Sequence, residues 1–211
     1  MGPFGLAERG ISNARVLAAM EKVPRARFVP EEYATQADGD YPLPIGYGQT
    51  ISQPYMVAVM TELLEPEPED IVLEVGAGSG YQAAILAELV AEVYTVEIVA
   101  PLAEAARQRL ASLGYKNVHV IQGDGYLGHS PKAPYDGILV TCAAPRVPPP
   151  LVAQLREGAR LVVPVGPPGG YQELWLVERI GDKTRSRRLM GVAFVPLTGP
   201  HGSQDDLDEI E

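Results

Sequence analysis

The strongest chemical signal along the chain is Leu73-Glu74-Val75-Gly76-Ala77-Gly78-Ser79-Gly80-Tyr81, an apolar run entering a glycine-rich turn. Glycines there let the backbone take left-handed geometry and approach a ligand closely. The third glycine comes one position earlier than in the dinucleotide fingerprint Gly-x-Gly-x-x-Gly, which weakens a nicotinamide reading without removing it. A turn serving only strand-to-helix packing is the plainer alternative. Two acids add to the signal. Glu97 closes the next apolar run, where a carboxylate can accept hydrogen bonds from both hydroxyls of a ribose. Asp124, in Gln122-Gly123-Asp124-Gly125, follows the run after that and can take the exocyclic amine of an adenine. Each acid alone reads as a solvated strand end. Three such features at three successive strand ends suit a nucleoside without a pyrophosphate, and S-adenosylmethionine is the obvious one. Acids also tolerate a sulfonium cation better than the anionic phosphates of NAD.

A second constellation precedes the first: Pro44-Ile45-Gly46-Tyr47-Gly48-Gln49-Thr50-Ile51-Ser52-Gln53-Pro54. Pro54 suits the first turn of a helix, which puts Ser52 or Gln53 at the N-cap. A well-capped helix is the plain reading. A helix N-terminus also offers unpaired N–H groups and a positive dipole end, worth about 0.3–1 kcal/mol toward an anion. With the Thr50 and Ser52 hydroxyls it is a way to build a carboxylate site without arginine.

The elements that position these residues follow from periodicity. A first helix starts at Ser12, carries Val16, Leu17 and Met20 on one side, and stops at Val23-Pro24. Residues 30–50 lack either period and read as a long loop. A second helix runs from Pro54, with Met56, Val59, Met60, Leu63 and Leu64 as its buried stripe, to Glu65-Pro66-Glu67-Pro68. Strands at 71–75, 93–97, 117–121, 137–141 and 160–164 then alternate with helices at 79–90, 100–112 and near 149–156. Such alternation predicts a parallel sheet covered on both faces. Residues 174–177 and 189–195, separated by Gly181-Asp182-Lys183-Thr184, form a hairpin signal, with Lys183, Arg185, Arg187 and Arg188 as solvated charge.

The 211 residues hold 17 Lys or Arg against 27 Asp or Glu, a formal charge of -10, with 46% hydrophobic and 21% charged content. That is an ordinary globular mixture, and its acidity argues against a nucleic-acid partner. A single cysteine, Cys142, leaves no disulfide framework and no multi-thiolate metal site, which fits a reducing cytoplasm. The N-terminus MGPFGLAERG carries no signal-peptide pattern, and no apolar run is long enough to span a membrane. Five acids, Asp205, Asp206, Asp208, Glu209 and Glu211, crowd the last seven residues, so residues 1–204 carry 22 acids against 17 bases. The expected organisation is one domain over 1–198, made of an N-terminal substrate-side helical part (1–65) and a core (66–198), followed by an acidic, disordered tail at 199–211.

The chain resembles the protein-L-isoaspartate O-methyltransferases. The resemblance rests on Gly48-Gln49-Thr50-Ile51-Ser52-Gln53-Pro54 and on the glycine turn 73–81. Gly123-Asp124-Gly125, Ala133-Pro134-Tyr135-Asp136, Pro164-Val165-Gly166 and Phe194-Val195-Pro196-Leu197 extend it, in order, from about residue 12 to residue 198. The Thr-Ile-Ser segment is far more specific to this family than the glycine turn, which class I methyltransferases share. The resemblance implies an α/β, Rossmann-like, doubly wound and mostly parallel sheet with a reversed terminal strand and an N-terminal helical addition. It implies S-adenosylmethionine as methyl donor and the free carboxylate of L-isoaspartyl residues in damaged proteins and peptides as acceptor. It places Glu74, Gly76, Ala77, Gly78, Ser79, Gly80, Glu97, Asp124, Gly125 and Thr141 around the cofactor. Thr50, Ile51, Ser52, Gln53 and Thr198 fall at the acceptor, with Ser52 as the active-site residue and no metal. A cytoplasmic monomer, without nucleic acid or membrane, is expected.

Two readings compete: a carboxyl methyltransferase for another peptide or small-molecule acceptor, and a module that binds S-adenosylmethionine without transferring its methyl. A nucleic-acid methyltransferase would show an Asn/Asp-Pro-Pro-Tyr/Phe-like segment where this chain has Thr141-Cys142-Ala143-Ala144-Pro145. Cys142 reads as packing, Tyr81 as a helix residue near the cofactor, and His119, His129 and His201 have no metal-ligand spacing.

Overall fold

Asn13, not Ser12, starts the first helix, α1 (Ala14–Lys22): its side chain accepts from the N–H groups of Arg15 and Val16. That fills two of the orphan donors of the helix end, a cap worth about 1 kcal/mol. Ser12 instead donates, through its N–H and hydroxyl, to the Glu62 carboxylate on α2 (Pro54–Leu64), as does the N–H of Asn13. The computed structural model describes residues 3–200, so the acidic segment from residue 201 onward lies outside the described residues.

Helix α2 buries Val57, Ala58, Met60, Thr61 and Leu64, whereas Met56, Val59 and Leu63 are only half-buried. The stripe is turned from the one expected because α2 is wedged between α1 and the main sheet, and a polar contact, Gln82 Nε2 to Thr61 Oγ1 at 2.9 Å, is sealed inside. The 30–50 region is more ordered than its composition suggests. Residues β1 (Leu43–Gly46) and β2 (Gln49–Ile51) pair antiparallel, turning through Tyr47 and Gly48. Strands of four and three residues, one containing Pro44, are too short to show a period.

Five strands lie parallel: β3 (Ile71–Val75), β4 (Glu92–Glu97), β5 (Val118–Gln122), β6 (Tyr135–Val140) and β7 (Leu155–Val165). The reversal at the far end comes through β8 (Gln172–Ile180), antiparallel to β7, and β9 (Lys183–Val192), which turns back again at the edge. The order across the sheet is β5-β4-β3-β6-β7-β8-β9. Helices α3 (Tyr81–Ala87), α4 (Ala100–Ser112) and α5 (Pro149–Ala153) connect the parallel strands. Side chains alternate between two apolar clusters: Val72 and Leu139 join the one containing α2 and α3, while Leu73, Val75, Ile138 and Val140 join the other. Both faces of the central strands are thus buried, which is why they read as continuous apolar runs.

Strand β9 ends at Val192, short of the expected 195, because the chain then crosses to β6. The Ala143 N–H donates to Val195 O and the Leu197 N–H to Ala143 O, both at 2.8 Å. Lys183, Arg185, Arg187 and Arg188 stand exposed along this edge strand, a charge pattern that discourages edge-to-edge pairing. The sheet changes winding direction between β3 and β6, and ligands of such sheets bind beyond the carboxyl ends of the strands at that point.

Candidate functional site

The glycine turn leaves β3 at that switch point. Gly76 has φ +95°, and a Cβ there would stand 2.5 Å from Thr141 Oγ1. The Thr141 hydroxyl needs the space: it donates to the carbonyls of Gly76 at 2.6 Å and Val75 at 3.0 Å, tying the turn to the end of β6. At the start of α3, Gly80 (φ +87°) packs so closely on α4 that a Cβ would meet Leu110 Cδ1 at 3.1 Å. Glu97 holds the middle of the turn, accepting from Gly78 N–H at 2.8 Å on one oxygen and Val99 N–H at 2.9 Å on the other. Each carboxylate oxygen keeps a second lone-pair site. Glu97 lines a cleft with Gly76, Gly78, Ile98, Gly125, Thr141, Cys142 and Thr198.

Two expected residues stand differently from the rest. Asp124 sits one residue behind the cleft wall, where its carboxylate accepts from Tyr126 N–H at 3.0 Å and caps the turn Gly125–Leu127. Gly199 closes over it, its absent Cβ only 3.3 Å from Asp124 Oδ1. Thr198 lies on the Glu97 side of the cleft rather than along the groove beside Ser52 described below.

Behind the turn lies an inner pocket lined by Ile51, Ser52, Glu74, Ala77, Ser79, Tyr81 and Gln82. Glu74 is fully buried and neither of its oxygens has a hydrogen-bond partner. Burial pushes its carboxyl up to about 8, with nearby Glu97 adding to the shift; the Thr95 hydroxyl opposes it from close by, though its own oxygen is also unbonded. Burial thus favours the neutral form of the Glu74 carboxyl. The Tyr81 hydroxyl is likewise buried without a partner, its ring edge-on to Phe28 at 5.5 Å, and burial pushes its pKa up. Burial does the same to the Cys142 thiol, which stays protonated and acts as packing.

The acceptor segment is built by side chains from far along the chain. Thr50 and Ile51 belong to β2; Gln53 is the N-cap position of α2 but makes no capping bond. Its side chain instead donates to Asp40, at 2.8 Å to the carboxylate and 3.1 Å to the carbonyl. The other Asp40 oxygen accepts from Tyr55 N–H at 2.8 Å, and Arg9 pairs with the carboxylate while stacking over the Tyr55 ring. Burial alone would raise the pKa of Asp40, but the bonds from Arg9, Tyr55 and Gln53 outweigh it and hold the carboxyl below its ordinary value. Ser52 and Gln53 open onto a groove of about 810 Å³ whose far wall is Tyr171, Met190, Phe194 and Val195. Thr50 and Thr141 line all three spaces, the cleft, the inner pocket and the groove. Among the described residues no group of three or more His, Cys, Asp or Glu could hold a metal ion.

Asp40 and the groove wall carry no local signal that ties them to the site. Asp38-Gly39-Asp40 reads as turn composition, and 189–195 as the second half of a hairpin. Only the antiparallel pairing of β8 with β9 and the crossing to Ala143 bring the latter opposite Ser52.

The model of the family described as protein-L-isoaspartate(D-aspartate) O-methyltransferase matches residues 5–202. A protein-L-isoaspartate O-methyltransferase of Methanoregula boonei is 57% identical over 197 residues, covering 93% of this chain and 90% of that one. Among solved structures, a protein-L-isoaspartate O-methyltransferase superposes with a TM-score of 0.85 at 29% identity, over 93% of this chain and 65% of that longer chain. A candidate enzyme of the same name from Plasmodium falciparum, in complex with S-adenosyl-L-homocysteine, superposes with a TM-score of 0.79 at 25% identity, over 92% of this chain and 95% of that one. By sequence and by fold, then, the chain belongs to the protein-L-isoaspartate(D-aspartate) O-methyltransferase family.

Proposed function

We infer that the protein moves the methyl group of S-adenosylmethionine to the free carboxylate of L-isoaspartyl residues in damaged proteins and peptides, and does so beside Thr50 and Thr141. The observation that carries this placement is that these two threonines alone border the cleft, the inner pocket and the groove together. A donor in the first two spaces can meet an acceptor in the third beside these threonines, where Ser52 is shared by the inner pocket and the groove and Val195 by the cleft and the groove. Family membership disfavours a carboxyl methyltransferase for another acceptor and a non-catalytic binding module.

The residues fit the cofactor. The orphaned Glu74 carboxyl suits a cationic group in the inner pocket, and the open lone pairs of Glu97 suit a pair of hydroxyls in the cleft. Gly76, Ala77, Gly78, Ser79, Gly125 and Thr141 supply the surrounding wall, Gly80 sets the angle of α3, and Asp124 shapes the far rim. When bound, S-adenosylmethionine supplies an electrophilic methyl on a sulfonium. The chain has to orient the acceptor and exclude water. A carboxylate is already deprotonated at neutral pH, so no general base is needed. Ser52 donates to the carboxylate as a positioning group, helped by Thr50 and Gln53, while Ile51 closes the inner pocket. A dry, fixed site would favour this transfer, in which the negative carboxylate would take the methyl, S-adenosylhomocysteine would leave, and the opposite charges would neutralise one another. The resulting methyl ester closes to a succinimide without the enzyme, and part of that opens to normal aspartate. In the same reading the protein works as a cytoplasmic monomer with neither nucleic acid nor membrane; its acidity speaks against a nucleic-acid partner and its single cysteine fits a reducing compartment.

The test compares labelled methyl transfer to an isoaspartyl peptide with transfer to the same peptide carrying normal aspartate. We expect label only in the first, and at least tenfold slower labelling in Ser52→Ala with S-adenosylhomocysteine binding kept. Label in neither peptide, despite cofactor binding, would sink the reading; unchanged turnover in Ser52→Ala would remove that residue from it.

A further inference from the structure

Arg25 is the charged side chain that the site as described does not use. It is 3% exposed, and its guanidinium spends four hydrogen bonds on carbonyls: Ala37 at 3.0 Å, Gly39 at 3.2 Å, Tyr41 at 2.8 Å and Ser52 at 3.2 Å. Among the described residues no carboxylate lies within ion-pair distance of it. Asp40 is near, but its oxygens are engaged by Arg9, Gln53 and Tyr55. A guanidinium remains charged even where burial lowers its pKa. Burying a cation without a counter-ion is costly, and a fold keeps such a group where its charge or its fork is needed.

We propose that Arg25 is the positioning residue of the acceptor half of the site. Its fork pins the Ser52 carbonyl, and its charge, offset by Asp40 and Asp38 only from beyond ion-pair distance, supplies the positive potential that selects a carboxylate over a neutral group in the adjoining groove. The inference rests on the placement of the acceptor beside Ser52. In a trans peptide the C=O and N–H point opposite ways, so drawing the Ser52 carbonyl toward Arg25 turns the Gln53 N–H to the other side of that peptide plane. The same fork joins the 37–41 segment, which carries Asp40, to the acceptor segment, so one side chain fixes both. The second cation near the groove, Arg9, is half-exposed and paired with Asp40, which leaves Arg25 as the source that solvent and salt do not screen.

The experiment uses the full chain saturated with S-adenosylhomocysteine. Calorimetry measures the affinity of two peptides that differ only in having the isoaspartyl carboxylate free or as its amide. We expect wild type to prefer the carboxylate. Arg25→Met should lower the carboxylate peptide's affinity about tenfold while changing the amide peptide's less than twofold, and Arg25→Lys, which keeps the charge, should retain most of the preference. Equal losses for both peptides, or no loss, would overturn the proposal. If Arg25→Met fails to fold, the wild-type preference is followed from about 0.05 to 0.5 M salt, beside Arg9→Gln. A preference that persists in salt and survives Arg9→Gln comes from the buried cation; one that collapses overturns it. A wild-type protein that methylates the isoaspartyl peptide yet binds both peptides alike removes the role of Arg25 and leaves the acceptor placement standing. Failure to methylate at all would remove the acceptor placement first, and the proposal with it.

Discussion

The glycine turn at 76–80 and the acceptor segment at 50–53 face one another across Thr50 and Thr141, yet little that holds one holds the other. The turn is anchored to the ends of the parallel strands: left-handed glycines leave β3, the hydroxyl of Thr141 just past β6 holds two of its carbonyls, and Glu97 at the end of β4 accepts from Gly78 N–H within the turn and from Val99 N–H. The acceptor segment is set by side chains reaching in from elsewhere, Arg25 to Ser52 and Asp40 to Gln53 and Tyr55, over a stretch with only a two-strand hairpin of its own. Damage to the turn should therefore disturb the fold of the sheet and the cofactor together, whereas damage to the acceptor network should fall on the acceptor alone.

The harshest way to break that division is Gly76→Ala. The new Cβ meets Thr141 Oγ1 at 2.5 Å and the residue must hold φ +95°. We expect a loss of about 3 kcal/mol or more in urea unfolding, with cofactor binding lost in step. Adding Thr141→Ala should recover the clash but not the backbone strain. A double mutant no better than the single would mean that the hydroxyl is not the obstacle.

The same contrast explains what could be read in the sequence. Helix α4 falls at 100–112 as expected, and β3 at 71–75, because both faces of the sheet are buried and its elements repeat their pattern over many residues. The turn, Glu97 and Thr141 follow from their places at strand ends. The buried stripe of α2 departs from its periodicity because it depends on two packing partners at once, and α1 starts after Ser12 because Glu62, far along the chain, takes Ser12 away from the cap. Arg25 was illegible for a sharper reason. Its partners are four carbonyls, and a carbonyl is the same in every residue, so no pattern of residue types marks it.

Glu74 sharpens the comparison from inside the turn. Burial pushes its carboxyl up to about 8 in the folded chain from an ordinary value of 4.5. Between those values the folded state holds a proton that the unfolded state has lost, so Glu74 erodes stability as pH rises. Glu74→Gln removes that slope. The stability of the variant relative to wild type should grow by about 2–3 kcal/mol between pH 5 and pH 7 in the ligand-free protein, while its affinity for S-adenosylhomocysteine falls. Urea curves that stay parallel across this range would show that the carboxyl is not held neutral.

Asp40→Ala tests the other half and should do least to the fold. Its carboxylate is partly exposed, so the lost bonds to Gln53, Tyr55 and Arg9 should cost only about 1–2 kcal/mol. Because its folded pKa lies below the ordinary value, that contribution is present above about pH 4 and disappears as pH falls through the lowered pKa, where wild type and variant should converge. With Gln53 released and the 37–41 segment held by Arg25 alone, the KM for an isoaspartyl peptide should rise severalfold while S-adenosylhomocysteine binds as before. Equal weakening of both ligands would mean that the two halves are one mechanical unit, and that the backbone of the turn leans on the acceptor network after all.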